Sequence, residues 1–198
     1  MRSYILFFAV FTALLTPVPS SYAQDTKQEK ETSIKLEDFP GSIPGSVHQI
    51  ESNLKREKFY KQQDGDELSY EMKFRYKRYD HSIEVDTTGS LIDTEVEINK
   101  KEIPRDLRKR ISNYLKKEFE RTKIEKIQAQ FIKPEHQVVD EFLEKVMKEP
   151  LAKPDHYEII VAIKNDGDFK RFEFLFDTEG NVKKKRKVIR NEYDYLIF

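Results

Sequence analysis

Cysteine and tryptophan are absent from the 198 residues, and 36 Lys and Arg balance 36 Asp and Glu to a formal charge of zero. The missing cysteine excludes a disulfide framework, a thiol nucleophile and any zinc–cysteine cluster. The missing net charge removes the bulk electrostatic argument for nucleic acid or an anionic membrane as partner. Long apolar stretches are scarce too. The longest, residues 5–15, is interrupted by Thr12, and a membrane-spanning helix needs about 20 apolar residues. No Gly-rich phosphate loop, GxSxG elbow or HExxH pair occurs, so the sequence is read as a non-enzyme that needs no cofactor.

What is present is charge and aromatic bulk. Charged residues make up 36% of the chain, yet 14 Phe and 10 Tyr supply enough apolar surface for a modest core. Met1-Arg2, the apolar run, Pro17 and Pro19, and then Ser21-Tyr22-Ala23 before Gln24 follow the layout of a secretory signal peptide. Cleavage is expected after Ala23. No cysteine follows to accept a lipid, so the expected location is periplasmic or secreted, with no membrane insertion after cleavage. Residues 24–41 are charged and read as a flexible leader to the folded part.

Self-similarity sets the expected architecture. Ile43-Pro44 is echoed by Ile103-Pro104, Tyr70-Glu71-Met72 by Tyr157-Glu158-Ile159, and Asp86-Thr87-Thr88-Gly89 by Asp177-Thr178-Glu179-Gly180. Two units follow, 42–99 and 100–198. Leu107, Ile111, Tyr114, Leu115 and Phe119 make one helical stripe. Val47, Ile50 and Leu54 make a weaker one, with Ser46 as its cap. Tyr70, Met72, Phe74 and Tyr76 alternate with Glu71, Lys73, Arg75 and Lys77 as in a half-buried strand. Residues 134–154 read as an insert carrying an amphipathic helix. The expected fold is α+β: two tandem helix-plus-antiparallel-sheet units with helices on one sheet face and the other face free.

The order helix, Tyr-Glu strand, then Phe174-Leu175-Phe176-Asp177-Thr178-Glu179-Gly180-Asn181-Val182 resembles the secreted PepSY-like domain, a family also described as beta-lactamase-inhibitor-like. Ile83-Glu84-Val85-Asp86-Thr87-Thr88-Gly89-Ser90-Leu91 is the first unit's version. The resemblance implies tandem units, no catalytic residues and recognition of a protein target across a sheet surface.

Candidate site residues follow from that picture. Glu71, Lys73, Arg75, Lys77 and Tyr79 would line the free sheet face. Lys183, Lys185 and Lys187 lie in a run of five bases that reads as a solvated edge strand or as a docking strip for an acidic partner. The acidic row Asp93, Glu95 and Glu97 at the equivalent strand would orient the units or a second protomer, so a homo-oligomer is an open alternative. His48, His81, His136 and His156 have no metal-ligand spacing and read as surface histidines. The expected function is non-catalytic binding, with recognition, regulation or inhibition of an envelope or extracellular protein. The alternative is a periplasmic small-ligand or metal-ion binding protein.

Overall fold

The computed structural model describes residues 25–165 and 167–189. The expected signal peptide (1–23) and residues 193–198, whose apolar sequence suits a last edge strand, fall outside them. Ten strands run in chain order: β1 Asp25–Lys27, β2 Glu29–Ile34, β3 Lys55–Asp64, β4 Glu67–Tyr76, β5 Tyr79–Val85, β6 Leu91–Glu97, β7 Arg121–Phe131, β8 His156–Asn165, β9 Asp168–Asp177 and β10 Val182–Val188. Among the described residues three α-helices interrupt them, α1 Ile43–Ile50, α2 Arg105–Glu118 and α3 Val139–Lys148, with a short 3-10 turn at Leu36–Asp38.

All ten strands belong to one sheet, ordered β1-β10-β9-β8-β7-β6-β5-β4-β3-β2. This corrects the expectation of two tandem α+β units. Strands β6 and β7 join the two halves of the sequence, with Thr94 opposite Phe131 and Glu97 opposite Gln128. The sheet also curls into a near-barrel, because the segment 25–34 binds both of its edges. Its first three residues pair in parallel with β10, Asp25 to Arg186 and Lys27 to Val188. Its next six pair antiparallel with β3, Glu29 to Asp64 and Ile34 to Phe59. One strand serving two edges at staggered heights is the shear that closing a sheet demands. Within the expected leader 24–41, Asp25–Lys27 and Glu29–Ile34 are strands, and Phe39 is buried with its ring 5.5 Å from Phe59.

Strand alternation decides what faces where. Met72, Phe74, Ile83, Val85, Val96, Ile127, Ala129, Phe131, Ile159, Val161, Phe174 and Phe176 form one apolar face. The helices cover it with Ile43 and Val47 from α1, Leu107, Ile111 and Leu115 from α2, and Phe142, Leu143, Val146 and Met147 from α3. Helix α1 starts at Ile43, ahead of Ser46, because Pro44 fits a first turn where an N–H would have no intrahelical partner. Residues 55–64, which have no clear apolar period, become a strand through pairing with β4.

The duplicated turn motifs adopt one geometry. Asp86 Oδ1 accepts from the N–H groups of Thr88 and Ser90, at 2.8 and 3.0 Å. Asp177 Oδ1 accepts from Glu179 and Asn181, at 2.9 and 2.8 Å. Gly89 and Gly180 supply the positive φ that each turn needs, 83° and 88°.

Candidate functional site

The polar face of the sheet lines its inside. Lys27, Glu29, Gln62, Glu71, Ser82, Glu84, Asp93, Glu95, Gln130, Glu158 and Arg186, drawn from nine of the ten strands, surround one chamber of about 130 Å³. The expected free sheet face is thus an interior wall, and Glu71 is 7% exposed.

One side of this interior is charge-balanced. Lys27 Nζ lies 2.9 Å from Glu29 and 2.7 Å from Glu173. Arg186 pairs with Glu173 and, at 3.0 Å, with Asp64 on the opposite sheet edge. Burial opposes charge on Lys27, but Glu158, Glu173 and Glu29 together hold its pKa far above the usual range. Glu173 stays below the usual carboxylate range despite burial, because Lys27 and Arg186 both touch it. Glu71 accepts from Gln62 and Ser82 and sits 2.9 Å from Lys73, whose ammonium also reaches Glu31 at 2.7 Å. Burial nevertheless outweighs these donors and raises the Glu71 pKa.

The other side is not balanced. Glu84 and Asp93 sit directly opposite each other across β5 and β6. Like charges in that position repel. Burial, then the Glu84 charge, pushes Asp93 up to about 7. Burial, then Glu173, pushes Glu158 up to about 7, and Glu95 rises well above its ordinary value through burial and the charges of Glu158 and Asp93. Gln130 donates to Asp93 at 2.7 Å and Gln128 to Glu95 at 2.5 Å. Among the described residues none of Glu84, Asp93, Glu95 and Glu158 makes an ion pair, though the charges of Lys126 and Lys27 oppose the rise at Glu95 and Glu158.

The outside carries the complementary charge. Helix α2 lies over β9 beside β10: Tyr114 packs edge-on to Phe174 and Phe176, and Lys185 Nζ sits 4.8 Å from the Phe119 ring centre. Arg105, Lys109, Arg110, Lys116 and Lys117 are exposed on α2, and Lys183 on β10. Among the described residues Lys109 pairs with Asp106 at 4.0 Å, and Lys183 lies near enough to Asp177 to help lower its pKa. Lys185 also lies over Phe172 and Phe174, at 4.9 and 5.7 Å. Among the described residues it forms no ion pair, and burial lowers its pKa against the opposing charge of Glu118.

No family model and no curated protein matches the chain. Among solved structures, a DUF2874 family protein from Bacteroides ovatus aligns with a TM-score of 0.49 at 9% identity, covering 75% of this chain and 87% of its own. A BLIP-like protein from Bacteroides fragilis aligns at 0.47 and 13% identity, covering 77% and 89%. Neither likeness says what this chain binds. No described helix is long and apolar enough to cross a membrane.

The sequence-derived site residues are scattered by the fold. Glu71 and Lys73 face the interior. Arg75 and Lys77 lie at the β4–β5 hairpin, where Arg75 donates to the Arg78 carbonyl at 3.2 Å and Lys77 covers the Tyr76 ring. Tyr79 is buried and donates to Glu102 at 2.9 Å. Lys183 is exposed, while Lys185 and Lys187 stand opposite Phe174 and Phe172 on the helix-covered side. Strand β10 is not a free edge, because β1 pairs with it. Three strands separate it from β6, so the basic and acidic rows do not meet. His81 is 2% exposed in the core, not on the surface. Sequence reading missed the roles of Glu84, Gln130 and Glu158. The signal was there, a carboxylate or amide at the outward-reading position of successive strands, but it looks like solvation until the sheet curls.

Proposed function

We propose that this is an exported, non-catalytic binding protein that docks an acidic protein partner on the cationic face formed by α2 and β10, and so recognises or regulates an envelope or extracellular protein. The observation that carries this reading is the row of exposed bases on α2 and β10 around the half-buried Lys185, which has no ion pair among the described residues and whose pKa burial lowers despite the nearby Glu118. A partner carboxylate beside Lys185 would restore charge stabilisation that burial has removed. The export reading adds the amino-terminal signal pattern. The chamber takes six carboxylates and only two bases inward, so the neutral total understates how positive the outside is.

Crosslinking capture from envelope extract tests the reading, with a Lys116→Glu, Lys117→Glu, Lys183→Glu variant run in parallel. The expected result is one saturable acidic protein held by the wild type, released as salt rises and lost by the variant. Equal capture by both proteins, insensitive to salt, would overturn the assignment of this face.

A further inference from the structure

Strand β7 outruns its neighbour. Its residues Gln128 to Phe131 pair with β6, and the Ile98 N–H bonds the Ile127 carbonyl at 3.0 Å before the chain leaves for α2. From Arg121 to Lys126, β7 has β8 on one side, and among the described residues no backbone group pairs with its other edge. That stretch is as long as an ordinary strand, and its unpaired N–H and C=O groups are a template for another. The charge along it is of one sign. Arg121 and Lys123 are exposed and share a face, with Lys164 and Ala162 of β8 opposite them. Arg121 against Lys164 sets like charges across the ladder, which costs stability unless an anion lies near. The edge's one acid, Glu125, is the extra residue of a bulge and already holds Arg171 at 2.6 Å, and among the described residues none of Arg121, Lys123 and Lys164 makes an ion pair.

Bases and a bulge on an open edge keep other strands away. They do so by repulsion, and repulsion selects by charge: a basic strand is refused and an acidic one is drawn in. A second copy of this chain is refused as well, because β7 against β7 would bring two basic rows together. We propose that the β7 edge from Arg121 to Lys126 takes an acidic, extended segment of a protein partner as an added strand, its backbone bonded to β7 and its carboxylates against Arg121, Lys123 and Lys164. In such an addition the main-chain bonds supply affinity and the side-chain rows supply the choice of partner. The site uses none of the α2 and β10 bases and does not rest on docking there.

The test adds a labelled peptide of alternating Glu and Thr to the exported chain, with fluorescence anisotropy reading binding and amide exchange reading its place. The peptide should bind the wild type, more weakly as salt rises, and slow exchange along residues 121–126. Arg121→Glu with Lys123→Glu should weaken binding about tenfold or more. The same peptide with its backbone amides N-methylated keeps every charge but cannot donate to a ladder, and it should lose binding to the wild type. That control leaves the protein untouched, so a folding defect cannot mimic it. The proposal is overturned if the wild type does not bind, if the methylated peptide or an oligothymidylate binds as tightly, or if the double variant binds as well. Loss confined to the Lys116→Glu, Lys117→Glu, Lys183→Glu variant would also overturn it, by moving the peptide to the α2–β10 face.

Discussion

His81 makes acid stability a direct test of the packing. Its ring is 2% exposed, lies parallel to Phe74 at 5.2 Å and 5°, and neither nitrogen has a hydrogen-bond partner. Burial alone drives its pKa down to about 4. In the unfolded chain the imidazole titrates near 6.5, so between about 6.5 and 4 the unfolded state takes up a proton that the native state refuses. The sign follows: the contribution is intact above pH 6.5 and is lost progressively as pH falls to about 4. The full loss is about 3.4 kcal/mol, of which about 2 kcal/mol is gone by pH 5. His81→Leu removes this titration. At pH 7 the substitution also removes two unsatisfied nitrogens, worth about 1–3 kcal/mol, against a lost ring contact of about 0.5–1.5 kcal/mol. The variant should therefore be about 1 kcal/mol more stable at pH 7 and about 3 kcal/mol more stable at pH 5. Urea unfolding of both proteins from pH 7.5 to 4.5 reads this as a widening gap. The interior carboxylates titrate in both and drop out of the difference. Parallel curves would refute the claim that the imidazole is buried neutral.

Three further outcomes are expected. A Cβ on Gly89 would lie 2.5 Å from the Gly41 Cα at a φ of 83°, so Gly89→Ala should cost about 3 kcal/mol or more. Gly65→Ala, at φ 62° with open space around it, should cost only about 1 kcal/mol by the same urea assay. Arg186→Met leaves Glu173, 4% exposed, with Lys27 alone and frees Asp64. The loss should approach about 3 kcal/mol, and amide exchange should quicken first along β1 and β10, where the sheet closes. The raised pKa values of Asp93 and Glu158, each about 7, contribute stability below about pH 4 that is lost progressively up to about pH 7. Asp93→Asn and Glu158→Gln should flatten that decline, and an unchanged slope in the double variant would contradict the burial of these groups.

The local structure was legible because its causes are local. Tyr70, Met72, Phe74 and Tyr76 alternate with charges, and the stripe from Leu107 to Leu115 has helical spacing, so these elements follow from side-chain periodicity alone. The two Asp-x-x-Gly turns were equally readable, since an Asp carboxylate bonds the N–H groups ahead of it wherever glycine allows positive φ. What the sequence could not convey was closure. Residues 25–34 have no apolar period and look like solvated leader. They become strand only because two edges far apart in the chain, β3 and β10, come within hydrogen-bonding reach. That closure alone separates the candidate sites. Glu71, Glu84, Asp93 and Glu158 resemble ordinary surface acids in sequence, and enclosure turns them into carboxylates whose charge costs free energy. Lys183 and the α2 bases stay outside, where solvent sustains their charge. Pattern along the chain determined the strands, helices and turns. Tertiary structure decided which charges were taken out of water, because desolvation depends on what surrounds a group, not on its neighbours in sequence.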